Sequence, residues 1–172
     1  MLDFSPLHII VHSMNYFEEK LPHPISERQV TQFQQLITKL YQCCQDRMRY
    51  QSERFNLPDA EIRCLLLFGQ EKYLTPKGIA GKMNLVKSRI SKLISGLNKK
   101  GLIQKIADPE DSRTTLLSLT SQGHKKLNEI NLFLNETHQE VLRQMEPEQR
   151  HTMMTNLELL KASMESIKEL MV

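Results

Sequence analysis

The chain has 172 residues, enough for one domain and a sizeable core, and 23 Lys/Arg against 20 Asp/Glu leave a formal net charge of only +3. That balance excludes a uniformly basic protein. Three cysteines (Cys43, Cys44 and Cys64) make no disulfide framework, and no apolar run approaches 18 residues. With no secretory signal visible, a soluble cytoplasmic protein without membrane contact is expected.

Charge is segregated along the chain. Residues 72–107 hold nine basic residues (Lys72, Lys77, Lys82, Lys87, Arg89, Lys92, Lys99, Lys100, Lys105) and no acid, whereas residues 129–172 hold eight acids against four Lys/Arg. A merely solvated charged face normally mixes acids among its lysines. This one does not, so a localised surface for a polyanion is expected.

In chain order, Ser5-Pro6 has the cap and first-turn proline of a helix, and Leu7, Ile10, Val11, Met14, Phe17 and Leu21 give it an apolar stripe over 5–21. His8 and His12 share one face there as an i, i+4 pair, without a third ligand in sequence; no metal and no cofactor are expected. Ser26 and Gln29 form a capping-box pattern opening a helix of roughly 30 residues, with Val30, Phe33, Ile37, Leu40, Cys44, Met48 and Phe55 on its apolar face. It stops near Asn56-Leu57-Pro58. Asp59 and Glu61 favour the first turn of a third helix running to Gly69.

Thr75-Pro76 starts a short helix over Pro76–Met83. Asn84-Leu85 turns the chain, and residues 86–100 resume helical period with Ile90, Leu93, Ile94 and Leu97 inward until Gly101 ends it. Two short helices joined by a tight turn make a helix-turn-helix. Leu102–Ile106 and Thr115–Leu119 then read as strands flanking Asp108-Pro109-Glu110-Asp111-Ser112-Arg113, a hairpin tip. Thr120 caps a long helix. Glu146-Pro147 starts the last one, whose Met153, Leu157, Leu160, Met164, Ile167 and Met171 repeat 4-3-4-3-4. Such a stripe packs on its own subunit or on a second one, and apolar stripes at both termini favour the second.

The predicted class is therefore mainly α with a small β-hairpin wing, a winged helix-turn-helix dimerised through its N- and C-terminal helices. Residues 1–56 and 120–172 are expected to dimerise, and residues 57–119 to bind DNA. The helix after the turn would enter the major groove and offer Lys87, Ser88, Arg89, Ser91, Lys92 and Ser95, while Arg113 of the hairpin suits a narrow minor groove.

Residues Ile79-Ala80 through Leu97, Lys100-Gly101-Leu102-Ile103, Asp108 to Arg113, and Leu119-Thr120-Ser121-Gln122-Gly123 resemble the multiple antibiotic resistance regulator (MarR) family. The resemblance covers roughly residues 57–127 closely and 26–172 loosely. Asp-x-Arg followed by Leu-Thr-x-x-Gly at this distance is its specific part. It implies a homodimer with two winged helices on adjacent major grooves of double-stranded DNA, and a repressor released from a pseudo-palindromic site by a small ligand or oxidant. It also implies that Asp111 braces the wing and Arg113 enters the minor groove. Val86 stands where the family often has a capping Ser or Thr, and Pro58 where it often has Thr.

Phe33, Tyr41, Met48 and Phe68 are candidates for an apolar effector pocket, with ordinary core as the alternative. Cys43 and Cys44 are candidate redox sensors, although Cys44 fits the apolar face, where thiols are inert; Cys64 reads as core. A protein-interaction module is a further alternative, disfavoured by the missing acids. No nucleotide loop, carboxylate pair or nucleophile motif points to an enzyme.

Overall fold

The computed structural model describes residues 24–107 and 115–171. The expected helix over 5–21 with His8 and His12, and the hairpin tip from Asp108 to Arg113, lie outside the described residues. The chain divides into two compact units, residues 1–51 and 52–172.

What is described of the first unit is mainly helix α1, Glu27–Phe55, whose last four residues belong to the second unit. Its capping box forms: the Ser26 amide and hydroxyl donate to Gln29 Oε1 at 3.0 and 2.9 Å, and the Gln29 amide donates back to Ser26 Oγ at 3.3 Å. Val30, Phe33, Leu36, Leu40 and Tyr41 are exposed along it.

The second unit is a winged helix. It comprises α2 (Asp59–Leu67), α3 (Pro76–Met83), α4 (Lys87–Lys99), β1 (Ile103–Ala107), β2 (Thr115–Leu119), α5 (Ser121–Arg143) and α6 (Pro147–Glu169). Helix α2 ends two residues before the expected Gly69. The amides of Phe68 and Gly69 bond back only three residues, to Leu65 and Leu66 at 3.1 Å, so the last turn tightens. Helix α3 starts on Thr75, whose hydroxyl accepts the Gly78 amide at 3.0 Å, and on Pro76.

Three helix ends use one device. Asn56 (φ 51°), Asn84 (φ 50°) and Gly101 (φ 67°) take the left-handed conformation. The next amides, of Leu57, Leu85 and Leu102, then bond back to Ser52, Ala80 and Leu97 at 3.0–3.1 Å. Each bond satisfies a terminal carbonyl and turns the chain sharply towards the following element.

The hairpin is antiparallel, with Ile103 opposite Leu119 and Ala107 opposite Thr115, and β1 begins and ends one residue later than expected. Leu74 adds a bridge to Leu117, its amide and carbonyl bonding the Leu117 carbonyl and amide at 3.0 and 2.8 Å. This edge is absent from the sequence expectation, because Leu74 stands alone before Thr75-Pro76.

The core gathers Ile62 and Leu65 of α2, Ile79 of α3, Leu97 of α4, Ile103 and Leu117 of the hairpin and Ile130 of α5, all almost fully buried. Each such side chain stabilises the unit by about 1.5–3 kcal/mol. The Leu-Thr-x-x-Gly segment has a visible purpose. Thr120 caps α5 by accepting the Gly123 amide at 3.0 Å, while its hydroxyl donates to the Gly101 carbonyl. A Cβ on Gly123 would run into the Leu102 carbonyl. The exit of the wing is thereby locked to the exit of α4.

Helix α6 starts on a capping box, the Glu146 amide bonding Gln149 Oε1 at 2.9 Å, and Arg150 Nε fastens its first turns to the Leu142 and Met145 carbonyls at 2.8 and 2.9 Å. None of its residues is buried; Leu157, Met164, Ile167 and, just beyond, Met171 are exposed. No described helix is long and apolar enough to cross a membrane.

Candidate nucleic-acid interface

Helix α4 is amphipathic in a way that decides what it presents. Ile90, Leu93, Ile94 and Leu97 sink into the core, so the opposite face is held outward by packing. On that face Lys87, Ser88, Arg89, Ser91, Lys92 and Ser95 are all exposed. The Ser91 hydroxyl donates to the Lys87 carbonyl at 3.1 Å, which leaves its oxygen free to accept. Val86 occupies the N-cap without a side-chain cap bond.

The cations of residues 72–107 sort into two groups. Lys82 pairs with Glu71, Lys100 pairs with Glu61, and Lys72 Nζ lies 5.3 Å from the centre of the Tyr73 ring. Lys77, Lys87, Arg89, Lys92, Lys99 and Lys105 have no ion-pair partner among the described residues. Three of these, Lys87, Arg89 and Lys92, lie on the exposed face of α4, where charge left unneutralised by the described residues makes the face positive. Between α3 and α4 lies a cleft of about 750 Å³, bounded by Thr75 and Lys77 on one side, Lys87 and Ser91 on the other, and Thr115 at the foot of the wing. The three parts of the winged helix thus meet at one concave surface with a lysine on each side.

One feature of this region escaped the sequence pattern. Glu61 on α2 is buried, its side chain 10 % exposed, and accepts a hydrogen bond from Lys100 Nζ at the end of α4. It lies against Gly96, where a Cβ would come within 2.5 Å of Glu61 Oε1. In the observed rotamer the carboxylate is paired by the lysine and occupies the space that a side chain at position 96 would take. Burial first, and then the charge of Glu61, push the Cys64 thiol up to about 12. Cys64 is thus a neutral core group.

The other candidates fall in both units. Phe33 and Tyr41 are exposed and Met48 half-buried in the first unit, while Phe68 belongs to the core of the second. Cys43 and Cys44 are both exposed; Cys44 departs in this from the burial its apolar stripe suggested. The described residues contain no group of three His, Cys, Asp or Glu able to hold a metal ion, and His124, His138 and His151 are exposed. Asp111 and Arg113 lie outside the described residues, so the structure speaks only for the base of the wing.

Residues 57–115 match the sequence pattern of the MarR family. No curated protein matches the chain. Among solved structures, a MarR family protein from Bacillus stearothermophilus superposes with a TM-score of 0.73 at 19 % identity, over 83 % of this chain and 99 % of that one. FabT of Streptococcus pneumoniae in complex with DNA gives 0.71 at 16 % identity, over 78 % and 99 %. MepR of S. aureus in its DNA complex gives 0.61 at 22 % identity, over 76 % and 98 %. These likenesses establish the fold.

Proposed function

We infer that this chain, a member of the MarR family through its residues 57–115, is a DNA-binding transcription regulator. The observation that carries the reading is the face of α4: six exposed polar or basic side chains on a helix locked to its core, three of them (Lys87, Arg89 and Lys92) cations without acidic partners among the described residues. Phosphates are the complement of such a surface, and base edges are within reach of Arg89 and Lys92. The same fold holds DNA in MepR and FabT.

The finer reading is a repressor that acts as a homodimer. Residues 57–119 bind a pseudo-palindromic operator, and the helices of 1–56 and 120–172 pair the subunits. The exposed apolar residues of α1 and α6 support pairing, since a lone subunit would leave them in water. Two recognition helices then meet half-sites roughly 10 base pairs apart. A small ligand releases DNA by favouring a dimer geometry that no longer fits both. Exposure of Cys43 and Cys44 supports thiol oxidation as an alternative trigger. Peroxide treatment that releases DNA from the native protein, but not from a Cys43→Ser/Cys44→Ser variant, would select it.

Gel shifts on operator fragments test the assignment. Arg113→Ala weakens binding to all sequences, and Arg89→Ala weakens it while also relaxing base preference, by about 1–3 kcal/mol at the contacted pair. Unchanged binding in both variants refutes it.

A further inference from the structure

The N-terminus of α4 carries a residue that serves neither the helix nor the core. Val86 has extended backbone (φ −70°, ψ 152°) and makes no side-chain cap bond. It is 64 % exposed. Among residues 75–100 it is the one exposed aliphatic side chain; Ile79, Met83, Ile90, Leu93, Ile94 and Leu97 are buried, and Ala80 and Leu85 half-buried. Thr75 and Thr120 cap α3 and α5 through their hydroxyls, a bond that a Ser or Thr at position 86 could also make. At Val86 the chain forgoes that cap and leaves a branched apolar group in water.

The neighbours say what meets it. Lys87, Ser88 and Arg89 follow directly and are exposed, so whatever covers Val86 is a polyanion. In a DNA major groove one apolar group is available, the C5-methyl of thymine, and aliphatic side chains read it by contact. We propose that Val86 is a specificity-determining residue that packs on a thymine methyl in each half-site, beside the base edges met by Arg89. The proposal rests on the DNA-binding reading and deepens it: the operator carries a T at one defined position per half-site.

The full chain is used to select duplexes from a pool with a randomised core. The winning duplex is then remade with deoxyuridine replacing each thymine in turn, which removes only the methyl. One thymine per half-site is expected to weaken wild-type binding about fourfold when its methyl is lost, as for one buried methyl group. Val86→Ser binds the thymine and deoxyuridine duplexes alike, yet melts no lower than wild type because the serine restores the cap. Val86→Thr keeps one methyl and the preference. The proposal is overturned if every deoxyuridine duplex binds wild type as its parent does, or if Val86→Ser still discriminates. If the wild-type chain enriches no duplex at all, the DNA-binding reading falls first, and the two failures are told apart.

Discussion

Glu61, Gly96 and Lys100 show how a single buried charge is made tolerable. A carboxylate inside a core is costly unless paired and hydrogen-bonded. Here the lysine supplies the pair and the glycine supplies the room. Lys100 is 40 % exposed along its side chain, so solvent screens part of the attraction. Glu61→Gln keeps the shape and an acceptor oxygen, and is expected to lower stability by about 1 kcal/mol in urea unfolding. Glu61→Ala also opens a cavity and is expected to lower it by about 2 kcal/mol or more. Equal stability of wild type and Glu61→Ala would deny the brace any weight. Glu61 was read from the sequence only as a first-turn acid of α2. Its partner lies 39 positions away, and no local pattern reports a pairing at that distance.

At the scale of elements, local signals carried most of the information. Helix starts at Thr75-Pro76, Thr120 and Glu146-Pro147 and the stop at Gly101 were legible because a cap is chemistry within four residues. Asn84 was legible as a turn for the same reason. Its left-handed backbone makes a sharper point: Asn84→Ala is expected to lower the melting temperature and cost about 1 kcal/mol, whereas Asn84→Gly is nearly neutral. A larger loss from glycine than from alanine would contradict the turn. The Leu74 bridge was illegible, since one residue has no periodicity. Strand β1 starts one residue later than expected because Leu102, apolar like a strand residue, is used to close the turn after Gly101 instead. The apolar face of α4 was legible from spacing, and with it the six exposed residues. Their outward setting follows from the burial of the other four.

For the whole molecule, two asymmetries matter. Apolar stripes on α1 and α6 remain exposed, and the exposed face of α4 carries Lys87, Arg89 and Lys92 without ion-pair partners among the described residues. The first supports the proposed pairing of subunits. Sedimentation equilibrium is expected to give twice the 20.1 kDa chain mass, and Leu157→Glu with Met164→Glu to shift it towards one, with the core of the second unit intact by circular dichroism. A wild-type monomer at micromolar concentration would contradict the pairing of these helices. The second asymmetry is the central claim, that the α4 face with its cations is a DNA-binding surface. Its most direct test is the salt dependence of binding to the selected operator duplex. If about three cations per subunit neutralise phosphates in a dimer, log K falls against log salt with a slope of about −5. Lys87→Ala with Lys92→Ala should make that slope shallower. A slope near zero, or one unchanged by the double variant, would contradict the account.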